Sequence, residues 1–408
     1  MGALSDLIVA LCCACRSTRR SRVKDPAVPD APITLLRVGR VHTPEPVAAT
    51  EILIAGGTIA ALGQGLTVPS DWPVVVVDEP DLTAVPAFID QHIHVTGGGG
   101  EGGPATRCPP VTAEAIAAHG IGTVVGVLGT DSVSRSPADL LAAVRKLRAQ
   151  GVDAYMYTGS YRVPPPTLTG DLQRDLAWIP EVLGVGEIAI ADHRSSQPTD
   201  AELARLVSEV RVGAMLAGKA GICHVHVGDG ASGLDRLRTL LETTEIPARQ
   251  VIPTHVNRRP ELLADAADYA VRFGACVDVT AFDDAGPEDI GADVAVRELL
   301  NAGVPAAQIT ISSDCGGSLP VFDARGGYAG MRVAGHGAFL ADWQRLVRAQ
   351  TLPFARALDL VSGNVARVLG LDAQKGRLAV GMDADIALLD TEFVPRATYA
   401  SGARIFSA

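Results

Sequence analysis

The chain of 408 residues is 47% hydrophobic and 20% charged, a composition that supplies a large core and excludes intrinsic disorder. Its 35 basic and 46 acidic residues leave a net charge of −11, which opposes a phosphate backbone and argues against a nucleic-acid partner. Length admits two or three domains of roughly 150 residues, or one α/β barrel of roughly 250 with an appended module.

Residues 1–30 contain a short apolar run from Leu7 to Cys15, followed by Arg16, Arg19, Arg20 and Arg22. A secretory signal has the reverse order, basic before apolar, so this segment is expected to be a disordered extension outside the fold. No stretch reaches the roughly 18 apolar residues of a membrane span, and no membrane partner is expected. Of seven cysteines, Cys12, Cys13 and Cys15 lie in the extension, while Cys108, Cys223, Cys276 and Cys315 are far apart with no CxxC pair. Such spacing suits a reducing compartment, hence a cytoplasmic location.

From Ile33 to Val77 the segments ITLLRVGRVHT, EILIAGGTIAALG and WPVVVVDEP are short, β-branched and separated by turns, which predicts a small all-β module. From Ala84 onward apolar strands alternate with amphipathic helices. The strands are VPAFIDQHIHV, GIGTVVGVLG, DAYMYTGSY, GVGEIAIAD, GICHVHVGD, RQVIPTHVN, ACVDVTAF and QITISSD, eight in all. Eight β-α units predict an α/β fold, a closed TIM-like (β/α)8 barrel with its reactive groups at the C-terminal strand ends. Two more helices are expected through about Leu371, after which KGRLAVGMDADIALLD returns to strand character. The expected division is a small β-sandwich built from 31–84 and 372–408 around a barrel at 85–371.

The histidines carry the chemistry. His92 and His94 lie two apart near the end of the first barrel strand, and period two turns both imidazoles to one face, as one metal ion requires. His226 ends the fifth strand, His255 the sixth and Asp314 the eighth, while Glu187 lies on the fourth among Val185, Ile188 and Ile190. Each alone has an ordinary structural explanation. Together, six N and O donors on five strands of one barrel suit Zn²⁺ or a similar divalent ion, and they exceed one tetrahedral site, so two ions fit.

The runs PAFIDQHIHVTGGGGEGGP, TGSYRVP, DHRSS, HVGD, PTHVNR and SSDCGGS, with the closing GRLAVGMDADIALLD, resemble the amidohydrolase superfamily and, within it, the isoaspartyl dipeptidases. The resemblance covers nearly everything from about residue 33 to 408. It implies that His92, His94 and Asp314 bind one metal and that His226 and His255 bind a second. The family bridges its metals with a carboxylated lysine on strand four, whereas this chain has Glu187 there. Glutamate supplies the same charge and donor pair without carbon dioxide, but it is several atoms shorter. The cofactor implied is Zn²⁺, two per subunit with Glu187 as bridge.

A hydroxide between two cations is nucleophilic at neutral pH. Asp314 would take its proton as general base and return it to the leaving amine as general acid, and the Tyr161 phenol would stabilise the developing oxyanion. Near the same rim lie Glu101, Arg194 and Arg258. Arginine forks bind carboxylates and a glutamate pairs with an ammonium, so the site suits a small substrate with carboxylates and one amine, such as a β-aspartyl dipeptide. By resemblance, Glu101 holds the α-amino group, and Arg194, Arg258 and Ser318 hold the leaving residue's carboxylate. The backbone near Gly99 and the Thr130 hydroxyl would contact the aspartyl carboxylate. Resemblance also implies a homo-oligomer.

Other readings are weighed on the same residues. The glycines from Gly97 to Gly102 formally give G-x-G-x-x-G, but Glu101 would face a pyrophosphate and Pro104 interrupts, so a loop approaching a small ligand fits better. Cys315 reads as a small buried hydrophobe. His193 and His224 flank the motifs, and His224 shares a strand face with His226; a core role ranks above a supporting one for it. A hydrolase of cyclic amides or N-acyl amino acids on the same metal site is one alternative. A non-catalytic scaffold, which would be expected to have lost metal ligands, is another.

Overall fold

The structure, a computed structural model, describes residues 33–282, 289–322 and 328–408. The expectation for residues 1–30 lies outside the described residues. Four strands and a long fifth open the fold: β1 (Ile33–His42), β2 (Pro46–Val47), β3 (Glu51–Ala55), β4 (Thr58–Gly63) and β5 (Val74–Pro86). After the barrel, β16 (Ile386–Leu389), β17 (Pro395–Ala400) and β18 (Ala403–Ser407) return to them. The two ends of the chain meet in one eight-stranded sheet of order β18-β17-β16-β5-β1-β3-β4, with β2 paired to β1. Its buried face, including Leu36, Ile52, Ile54, Ile59, Ile386 and Leu388, forms a small core of its own.

Between these segments run eight strands, matching the expected ones in number and position: β6 (Phe88–Ile93), β7 (Ile121–Gly126), β8 (Asp153–Thr158), β9 (Val182–Ile190), β10 (Ile222–Val227), β11 (Val251–Thr254), β12 (Val277–Thr280) and β13 (Ile309–Ser312). Strands β6 to β11 form one parallel sheet, and β12 and β13 form a parallel pair. Side chains complete the β11–β12 seam. Asn257 donates Nδ2–H to the Thr280 carbonyl at 2.8 Å and accepts the Thr280 amide at 2.9 Å. At the other seam the Asp314 amide donates to the His92 carbonyl (3.1 Å) and the His94 amide to the Cys315 carbonyl (2.8 Å). Every residue of β6, β7, β9 and β10 is buried, as expected of parallel strands covered by helices.

The crossover helices carry their own start and stop signals. The helix Asp200–Ala217 begins with a Thr199–Glu202 capping box and ends at left-handed Gly218, and Pro137–Ala149 begins with a Ser136–Asp139 box. No helix among the described residues is long and apolar enough to cross a membrane. Two features differ from expectation. An antiparallel hairpin, β14 (Ser318–Phe322) with β15 (Tyr328–Val333), follows β13, and three helices rather than two (His336–Arg348, Phe354–Asp359 and Gly363–Leu369) precede the closing strands. The third is a two-turn segment, too short to show a periodicity of its own.

Lys375 ties the barrel to the terminal sheet. Its ammonium lies 2.5 Å from Asp153 at the start of β8, 2.6 Å from Asp385 just before β16, and 3.1 Å from Asp383. Burial alone would push the Lys375 pKa down, but these carboxylates hold it well above its ordinary value. Removing one partner of such a group leaves buried charge uncompensated. Lys375→Met is therefore expected to lower the stability read by urea denaturation by about 3 kcal/mol; a loss under about 1 kcal/mol would show that the cluster does not hold the two layers together.

Candidate active site and metal centre

Six side chains converge where β6, β9, β10, β11 and β13 end. His92, Glu187, His226 and His255 are almost fully buried, His94 nearly so, and the Asp314 side chain is the most open at 14%. The backbone turns sharply at two of them. His255 (φ 62°) and Asp314 (φ 53°) sit in the left-handed region, a strained conformation for residues other than glycine that recurs at functional sites.

The spacing of the donors tests whether they suit divalent ions. A tetrahedral shell with bonds of about 2.0–2.2 Å has neighbouring donors about 3.3–3.6 Å apart. His94 Nε2 lies 3.0 Å from Asp314 Oδ1 and 3.3 Å from Glu187 Oε1, while His92 Nε2 lies 3.3 Å from Asp314 Oδ1 and 3.5 Å from Glu187 Oε2. On the other side, Glu187 Oε2 lies 3.2 Å from His226 Nδ1 and 3.4 Å from His255 Nε2. His92, His94 and Asp314 could hold one ion, and His92, Glu187 and His255 also lie close enough to share one. Despite these short approaches, neither His92 Nε2 nor Asp314 Oδ1 has a hydrogen bond of suitable geometry among the described residues, the condition of atoms aimed at an ion. The residues present fit divalent cations.

Charge explains the convergence. Burial pushes the Glu187 pKa up, but His92, His226 and His255 outweigh it and hold the carboxyl well below its usual value. Burial pushes His94 down, yet Asp314 and Glu187 raise it to about 9; His255, dominated by burial, falls to about 3. Gly129 makes room for this packing, since a Cβ there would stand 2.9 Å from His94 Cε1 and 3.4 Å from Glu187 Oε1.

A second layer orients the donors. Asp90 Oδ1 accepts the backbone amides of His92 and Ser313, both at 3.2 Å, and its other oxygen accepts the Ser313 hydroxyl, pinning β6 to the turn that carries Asp314. His255 Nδ1 lies 2.8 Å from Thr280 Oγ1. His224 is fully buried, as a core role requires, and its Nε2 also lies 2.9 Å from His92 Nδ1, so it touches a donor of the cage as well. His226 Nε2 lies 2.9 Å from Asp192 Oδ2, a residue the sequence reading passed over.

Above the cage opens a cavity of about 560 Å³, lined by His94, Glu187, His226 and Asp314 and by Gly99, Glu101, Thr130, Tyr161, Arg194, Arg258 and Ser318. His92 and His255 lie beneath its floor. The Tyr161 hydroxyl is 2.9 Å from His226 Nδ1. Glu101 faces Arg194 across the cavity at 3.5 Å. Thr130 and Ser318, expected on substrate carboxylates, donate to Glu101 Oε1 at 3.1 and 3.2 Å. The Gly99 carbonyl accepts from Arg135 at 3.2 Å. Among the described residues Arg258 Nε is buried without a partner, and its guanidinium lies 4.0 Å from Asp229. His193 also lines this space.

Comparison with known proteins shows the family. The profile of the amidohydrolase family matches residues 83–406. A structure of the beta-aspartyl dipeptidase from Fervidobacterium islandicum AW-1 in complex with beta-Asp-Leu dipeptide is 38% identical, with 93% of this chain and 97% of that chain covered and a TM-score of 0.86. A second structure of that enzyme is 36% identical, with 92% and 97% covered and a TM-score of 0.83. A dihydroorotase from Lactiplantibacillus plantarum is 24% identical over 404 residues, covering 88% of this chain and 89% of its own. The chain belongs to the amidohydrolase family and is a hydrolase within it.

Proposed function

We propose that this chain hydrolyses the isopeptide bond of β-aspartyl dipeptides with the help of two divalent cations, Zn²⁺ by donor type. The observation that carries the reading is a cavity lined by four of the six cage donors, with Glu101, Arg194 and Arg258 on its walls. A β-aspartyl dipeptide presents one ammonium, two carboxylates and an amide between them. The beta-aspartyl dipeptidase structure that holds beta-Asp-Leu supports the same substrate class.

His92, His94 and Asp314 would hold one ion, His226 and His255 the other, and Glu187 would offer an oxygen to each. Bound divalent ions supply a water of lowered pKa and a Lewis acid for the carbonyl oxygen. Asp314 is the cage member most open to the cavity, so its carboxylate is the group placed to accept the proton of the attacking water and deliver it to the leaving amine. Tyr161 Oη stands at the cage beside His226, where its O–H can donate to the oxygen that gains charge. Glu101 binds the α-ammonium, and Arg194 and Arg258 take the carboxylate of the leaving residue, with Ser318 at its edge. Gly99 and Thr130 border the aspartyl carboxylate. The ion pair between Glu101 and Arg194 matches a substrate with an ammonium and a carboxylate, because each end replaces one partner of the pair.

A substrate panel tests the reading. With zinc present the chain is expected to cleave β-Asp-Leu and to leave α-Asp-Leu, hydantoin and dihydroorotate intact; turnover of the cyclic amides alone would move it to another branch of the family. Glu187→Ala is expected to lower bound zinc and hydrolysis together, and unchanged activity in that variant would refute the bridge. Tyr161→Phe should lower kcat by about 10²–10³-fold, the scale of losing one oxyanion donor, with KM little altered. An unchanged kcat would remove Tyr161 from the chemistry.

A further inference from the structure

Asp192 touches both halves of the site. It follows Ala191, a left-handed residue (φ 49°) just past β9, and its side chain is 4% exposed. Oδ2 lies 2.9 Å from His226 Nε2 and 2.8 Å from Arg194 Nη2; Oδ1 accepts Arg194 Nε at 3.0 Å and the Arg194 amide at 2.7 Å. Close approach of β10 permits this, since a Cβ on Gly228 would lie 2.5 Å from Asp192 Cβ. A carboxylate facing a guanidinium only accepts hydrogen bonds, so His226 must carry its proton on Nε2. That leaves the Nδ1 lone pair on the cage side, 2.9 Å from the Tyr161 hydroxyl, which can donate to it, and 3.2 Å from Glu187 Oε2. The same two oxygens grip Arg194 in a fork, which fixes where its remaining N–H groups point.

We propose that Asp192 is the positioning residue that couples the metal cage to the carboxylate end of the substrate, holding His226 in its ligating tautomer and Arg194 at its binding angle. The inference rests on the proposed function for the role of Arg194 and on the donor cage alone for the role of His226. It also separates Asp192 from Asp314, since Asp192 acts only through its neighbours. Partners of this kind, bonded to the far nitrogen of a ligating histidine, typically change metal affinity by about 10–100-fold when removed.

Two readouts follow, one of them independent of turnover. In chelator competition without substrate, Asp192→Ala is expected to weaken zinc binding by about 10–100-fold. With zinc saturating, the same variant should raise KM by about 10-fold for β-Asp-Leu and leave KM for the C-terminal amide of β-Asp-Leu unchanged. Arg194→Ala should reproduce the KM effect while keeping wild-type zinc affinity. Asp192→Asn, nearly the same shape, carries the test if the alanine variant does not fold. It has one oxygen where the carboxylate has two, so it should lose one readout and keep the other. Wild-type zinc affinity with an unchanged KM pair, in either Asp192 variant, overturns the proposal. If the wild-type chain binds zinc but does not cleave β-Asp-Leu, the proposed function fails separately, and the Asp192–His226 arm is still judged by zinc affinity.

Discussion

A carboxylate that is 1% exposed inside a barrel is tolerated only if opposite charge or hydrogen bonds replace the water it has lost. Glu187 meets that constraint with four imidazoles from three other strands, at 3.2 to 3.5 Å. The remaining features of the mouth follow from it. Strands β6, β10 and β11 must end at one height to present those rings. Asp314 turns back over His92 and His94, its Oδ1 lying 3.3 and 3.0 Å from their Nε2 atoms. Divalent cations would take over that compensation, since the same lone pairs that share protons in their absence can coordinate metal.

Polar layers continue below the cage. Asp278 on β12 accepts Gln91 Nε2 (2.6 Å), Thr254 Oγ1 (2.8 Å), Thr310 Oγ1 (2.6 Å) and Ser312 Oγ (2.5 Å), joining β6, β11, β12 and β13 through one carboxylate. This belt crosses both seams of the barrel and lies under the donors, so the strand ends that hold His92, His255 and Asp314 are fixed to one another. Such support is what a preorganised site needs. Above the cage Glu101 and Arg194 form an ion pair at 3.5 Å, and Arg258 lines the same cavity.

The fold was legible where burial leaves a pattern on one strand at a time. The eight barrel strands read as continuous apolar runs because helices cover the sheet, and H-x-H announced a shared face because strands have period two. Glu187 stood out because its neighbours are Val185, Ile188 and Ile190. What escaped depends on contacts between strands. His224 and His226 share a face by the same period, but which ring meets a ligand and which supports one depends on height in the barrel, set by strand shear. Asp192, two residues before Arg194, looked like any acidic residue ending a strand; its meaning lies in the approach of β10 at Gly228, which no local pattern records. The β14–β15 hairpin was not among the expected elements.

The central claim is that the six donors form one cage for divalent ions around Glu187. Anomalous diffraction at the zinc edge from crystals of the zinc-loaded chain addresses it most directly. The account predicts two peaks, one within bonding distance of His92, His94 and Asp314 and one within bonding distance of His226 and His255, with Glu187 reaching both. Peaks elsewhere, or a Glu187 side chain beyond coordinating distance of every peak, would contradict it.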